Sequence, residues 1–115
     1  MSGIPSGNGS EVLKVAKVHA MSSSTETLIT GVANHIYTVL SINFTNMSGS
    51  DEAIDLYVTD GGVTYQLLRE APIADKATFI YSDKLVLSGA QDLEANLATV
   101  GDCDVWVSYI DQDWS

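Results

Sequence analysis

The chain has 115 residues, 45% of them hydrophobic, with fifteen acidic side chains against five basic ones and a net charge of −10. That size fits one domain with a single core, and the composition is that of a globular protein, not a disordered one. The cations Lys14, Lys17, Arg69, Lys76 and Lys84 are scattered, whereas phosphate binding requires clustered Lys and Arg, so no nucleic-acid partner is expected.

Residues 1–10 (MSGIPSGNGS) are Ser, Gly, Asn and Pro around a lone Ile4, a composition that cannot pack an element alone. They lack the basic and apolar regions of a signal peptide, so synthesis in a reducing cytosol is expected. We expect an extended arm that orders on a partner, with Ile4 and Pro5 among its contacts, and a folded domain over residues 11–115. Residues 11–19 (EVLKVAKVH) are the first candidate strand, although Lys14 and Ala16 also permit a helix. Residues 21–26 read as a loop, and residues 27–30 as a short strand ending at Gly31. In the next run Ile36, Leu40, Ile42 and Phe44 are expected to share one face, with Tyr37, Val39, Ser41, Asn43 and Thr45 on the other.

Residues 46–52 (NMSGSDE) form a loop. Ile54, Leu56 and Val58 then point inward, with Asp55, Tyr57 and Thr59 outward. Asp60-Gly61-Gly62 turns the chain into residues 63–69, because glycine supplies the positive φ of a tight hairpin. Residues 71–75 (APIAD) are expected to break the sheet. Strands follow at 76–81, 85–88, 93–98 and 105–110, separated by turns at Ser82-Asp83-Lys84, Gly89 and Gly101. Eight or nine short strands at this spacing make an all-β chain, a single sandwich of jelly-roll or immunoglobulin-like topology. No apolar run approaches a membrane span, so no membrane partner is expected.

Few residues suggest chemistry. His19 and His35 lie in different elements without the converging ligands a metal needs, and read as polar surface or interface positions. Cys103, the only cysteine, excludes an internal disulfide, and Asp102 and Asp104 beside it disfavour the thiolate. Asp51, Glu52 and Asp55, and likewise Asp111 and Asp113, read as surface charge, with no spacing suited to calcium. Gly61-Gly62 leads into a strand and not a helix, so it is no phosphate loop. No catalytic constellation, cofactor or metal is expected. Tyr37, Tyr57 and Trp106 fall on faces read as exposed, either as cross-strand packing or as a platform for a sugar or protein. The terminal Trp114, next to Asp111 and Asp113, is a docking residue, either onto its own domain or onto a neighbour.

Four segments in order carry a resemblance: the IYTV strand entry at Ile36, the VTDGGVTYQL hairpin, the DKLVL strand and the closing DVWVSYIDQDW strand. Across residues 11–114 the chain resembles small β-sandwich structural proteins of tailed bacteriophages. The resemblance implies a virion protein, most readily a capsid decoration (cement) protein, homotrimeric and bound to the major capsid protein. The neck or tail is the other position it implies. The arm and the tail from Asp111 are then the segments expected to reach neighbours. A carbohydrate- or receptor-binding module using Tyr57 or Trp106 is the competing reading.

Overall fold

The computed structural model describes residues 10–114, so the arm with Ile4 and Pro5 lies outside the described residues. Nine strands are present: β1 (Ser10–Met21), β2 (Glu26–Ile29), β3 (His35–Asn46), β4 (Glu52–Asp60), β5 (Val63–Ile73), β6 (Thr78–Tyr81), β7 (Leu85–Ser88), β8 (Asp92–Leu97) and β9 (Cys103–Asp113). They form two antiparallel sheets. The first runs β1-β9-β3, with β6 and β7 sharing the far edge of β3, and the second runs β2-β8-β4-β5. β6 pairs with β3 from Ile42 to Thr45 and β7 from Ile36 to Val39, so the two are halves of one interrupted edge strand.

The pairings are nested. β1 pairs with β9, β2 with β8, β3 with β6 and β7, and β4 with β5. A long hairpin whose tip is the β4–β5 turn has thus been wrapped so that successive pairs alternate between sheets. This is the jelly roll, not the immunoglobulin arrangement. At the tip, Asp60 pairs with Val63, and Gly61 and Gly62 take φ of 58° and 85°, the two positive values that a two-residue type I′ turn demands.

The core lies between the sheets. Phe44, Ile42 and Met21 meet Ile54, Leu56, Leu93 and Leu97, all fully buried, and Phe44 packs edge-to-face on Phe79 with centroids 6.4 Å apart. Gly31 sits where a Cβ would lie 2.3 Å from the carbonyl oxygen of Gln91, so the β7–β8 turn can close against it only without a side chain.

β1 is the strand expected, and the helix that Lys14 and Ala16 also permitted does not form, because the Val-rich sequence pairs with β9 from Ser10 to Val18. Two expectations change. In β3 the register shifts between Val39 and Ser41. Leu40 is the extra residue of this bulge and points to solvent, while Tyr37 and Val39 turn into the core. The expected face therefore holds from Ile42 onward and is reversed before it. Tyr37, expected outside, is only 3% exposed. Lastly, β5 does not end at Arg69 but continues through Pro72 to Ile73. β5 is an edge strand, where a proline need not donate to a neighbour. Glu70, at φ 51°, absorbs the local kink while its N–H donates to Asp55 Oδ1 at 2.8 Å.

Asn46 ends β3 fully buried and clamps two loops, those after β3 and after β5. Its Nδ2 donates to the carbonyls of Ser50 (2.8 Å) and Ile73 (3.1 Å), and its Oδ1 accepts from the Ser48 N–H (2.9 Å). Asn46→Ala strands those buried partners and should cost about 3 kcal/mol in denaturant unfolding. Asn46→Asp, which cannot donate, should be similarly damaging. A loss under about 1 kcal/mol for both would show that the clamp does not hold the loops.

Candidate interaction surface

The outer faces of the two sheets differ in chemistry. The second sheet presents Asp55, Tyr57 and Thr59 from β4 and Asp92, Glu94 and Asn96 from β8, a polar, acidic face. Tyr57 is half-buried there, its hydroxyl hydrogen-bonded to Thr25 Oγ1 at 2.8 Å. The first sheet presents Leu13 (70% exposed) and Val15 from β1, Trp106 (47%) from β9, Leu40 from the β3 bulge, Ile80 from β6 and Val86 from β7. These side chains make the outer face of the first sheet the more apolar of the two and the candidate contact surface.

One end of this face is a shallow groove of about 320 Å³, lined by Lys17, His19, Asn43, Thr45, Asp104 and Trp106. Lys17 Nζ sits 5.7 Å over the Trp106 ring, a cation–π contact. Asp104 Oδ1 accepts from the Ala20 N–H at 3.0 Å and meets His19 Nδ1 at 2.9 Å. Trp106 and Tyr57 therefore lie on opposite faces, with Tyr37 inside, so the three aromatics form no common platform.

The opposite end of the first sheet holds a charged cluster. Asp111, 6% exposed, accepts from Lys14 Nζ at 2.9 Å and meets His35 Nδ1 at 2.7 Å. His35 stacks on Tyr37 with centroids 5.8 Å apart, and Tyr109 meets Tyr37 edge-on at 6.1 Å. Burial alone would raise the Asp111 pKa, but the hydrogen bonds from Lys14 and His35 outweigh it and hold the carboxyl below its ordinary 3.8. The same bond, with the charge of Asp111, raises Lys14 above 10.5. Lys14 and His35 are 97 and 76 residues from Asp111 in sequence. Only the wrapped topology joins them, and no local motif signals it.

The tail does not reach outward over the described residues. β9 extends to Asp113, which pairs with Ser10 and His35, and Asp113 Oδ1 lies 3.6 Å from His35 Nε2. The Trp114 N–H donates to the Asn34 carbonyl at 2.9 Å. Asp111, expected in a reaching tail, is instead committed inside the protomer. Cys103 is buried, and burial first, then the charge of Asp104, pushes its thiol up to about 11. Among the described residues no group of three or more His, Cys, Asp or Glu side chains is placed to hold a metal ion. None forms a helix long and apolar enough to cross a membrane.

No protein-family model matches the chain, and no curated protein matches it. Solved structures do match in fold. A subunit of the disulfide-linked pili of Bacillus endospore appendages is 12% identical with a TM-score of 0.59, covering 100% of this chain and 98% of that one. The capsid structure of Helicobacter pylori bacteriophage KHP30 contains a chain 9% identical, with a TM-score of 0.56, covering 93% and 94%. In infectious bursal disease virus Gx strain the match has 9% identity and a TM-score of 0.61, covering 96% of this chain but 34% of that one. The chain thus spans about a third of the bursal disease virus proteins, and at these identities the likeness is one of fold.

Two outcomes follow from the cluster and the thiol. Asp111→Asn should cost about 2 kcal/mol at neutral pH, because the Lys14 ammonium loses a buried anion and the His35 ring a charged hydrogen-bond partner. An aspartate whose folded pKa is depressed stabilises above its unfolded value and loses that contribution as pH falls through the folded one, so the gap between wild type and variant should close below pH 3.8 in thermal unfolding. Cys103, its thiol pushed up to about 11, should stay protonated at pH 8. It should therefore resist a disulfide reagent until the protein is unfolded, and rapid labelling of native protein would contradict its burial.

Proposed function

We propose that this chain is a structural protein of a bacteriophage particle and works by binding, without catalysis. The reading rests chiefly on one observation: 93% of this chain is matched in fold by 94% of a chain of a bacteriophage capsid structure. The apolar outer face of the first sheet and the order of the four sequence segments support it. In finer terms the protein is a decoration, or cement, protein located in the virion and made in the host cytoplasm. Its partners are the major capsid protein and other copies of itself, the trimer being the form that the family resemblance implies.

The mechanism is physical. A small, rigid sandwich spanning the edges of neighbouring coat subunits adds buried interface after the shell has formed and raises the barrier to its rupture. A standard interface buries about 1,600 Å² in total. Several such contacts made by linked copies turn weak binding into firm retention. The excess of acid, concentrated away from the apolar face, keeps the free protein soluble before it docks.

The end-to-end match to an appendage pilus raises a filament subunit as a second reading. The thiol argues against a disulfide-linked one, since Cys103 is the only cysteine and is buried. Mass spectrometry of purified particles of the virus that encodes the chain should find it in abundance, and its removal should leave assembled shells that break at lower temperature. Absence from the particles would overturn the reading. Saturable glycan binding by the free protein, lost in Trp106→Ala, would replace it with a carbohydrate-binding module.

A further inference from the structure

The jelly roll has four sheet edges, and three are blunted. β2 is four residues long. The β6–β7 edge is broken into two four-residue pieces. β5 is long but twice bulged against β4, and it carries Pro72 and the positive φ of Glu70. Those are the usual means of stopping a strand from pairing with another chain. β1 differs: from Ser10 to Val18 it pairs without interruption on one side with β9 and, among the described residues, with nothing on the other. A straight, Val-rich edge of this length is a template for a further strand.

We propose that β1 pairs antiparallel with β1 of a second copy across a two-fold axis, joining the first sheets of both into one. The choice of partner comes from the self-complementarity of the strand. Glu11, Leu13, Val15 and Lys17 all lie on its outer side, the side of Trp106, while Val12, Lys14, Ala16 and Val18 lie on the inner side with Val105 and Val107. Antiparallel pairing keeps inner residues with inner and outer with outer only at every second register. One of these sets Glu11 opposite the partner's Lys17, Leu13 opposite the partner's Val15, and Val12 opposite the partner's Ala16, each twice by symmetry.

Moving the register by two residues one way sets Leu13 against the partner's Lys17. Moving it the other way sets Glu11 against the partner's Val15. Only the central register matches charge with charge and apolar with apolar. It brings the two Lys14 residues together, but each is already held by its own Asp111 at 2.9 Å on the inner side. Two-fold contacts of this isologous kind are the commonest among oligomers. The contact also suits the charge distribution, since it brings together the sheet edges that hold Lys14 and Lys17 and leaves the acidic second sheets apart. A two-fold axis at β1 is compatible with a three-fold association elsewhere, in which case it links one trimer to the next. The contact requires no shell, so its failure would leave the role at the particle standing.

Sedimentation of the full chain at low salt tests it. The wild type should show a concentration-dependent pairing step. Glu11→Lys and Lys17→Glu should each weaken that step at least about tenfold, since opposed charges become like charges at two sites. The double swap Glu11→Lys/Lys17→Glu should restore it. Glu11→Lys leaves the Lys17–Trp106 contact intact, and both positions are exposed, so unchanged thermal midpoints will show that the fold is not at issue. Oxidised together, Leu13→Cys and Val15→Cys chains should give the mixed disulfide in preference to either homodimer, with buried Cys103 adding little background. No pairing step in the wild type, equal pairing in the single variants, or a double swap that stays weak would overturn the proposal.

Discussion

Every strand except β5 finds a hydrogen-bonded partner from a distant part of the chain, and that constraint governs everything else about the molecule. The apolar faces of β3, β4, β8 and β9 have period two, so each can bury its side chains only as part of a sheet laid against another. Nesting the pairs from the β4–β5 tip to the termini gives every strand a hydrogen-bonded neighbour while passing the chain repeatedly across the core. The sandwich closes when β9 inserts between β1 and β3. Such long-range pairing makes for slow folding but leaves one tightly defined core.

The same wrapping produces the charged cluster at the termini. Asp111 is the penultimate inward residue of β9, and it meets Lys14 from the first strand and His35 from the start of the third. Three strands of the first sheet are thereby tied at the end where β1 begins. The opposite end of that sheet is tied by Asn46, which holds the loops after β3 and β5. Between these two fixed ends the outer face of the sheet is free to be apolar, because its shape is held by groups that lie elsewhere. A rigid apolar face and, among the described residues, one straight sheet edge without a neighbour are what this arrangement leaves for contact with another surface.

What the sequence made legible follows directly from local physics. Alternation in β4 and the paired glycines at the hairpin tip depend on neighbours in sequence, and they read correctly. The errors share a cause. Leu40 looks like an inward residue until a bulge against β9 displaces it, and Pro72 looks like a breaker until β5 is known to be an edge. Neither the bulge partner nor the edge position exists in the local sequence. The same holds for the aromatics: Tyr37, Tyr57 and Trp106 look alike by alternation, yet one is core and the others lie on opposite faces.

By itself, then, the sequence determined an all-β fold and the position of most strands, because period and turn chemistry are properties of a few adjacent residues. The tertiary structure alone decided the jelly-roll order, the commitment of Asp111 to Lys14 and His35, and which of four edges lacks a neighbour among the described residues. Those depend on partners tens of residues away, which pairing brings together and no local pattern encodes.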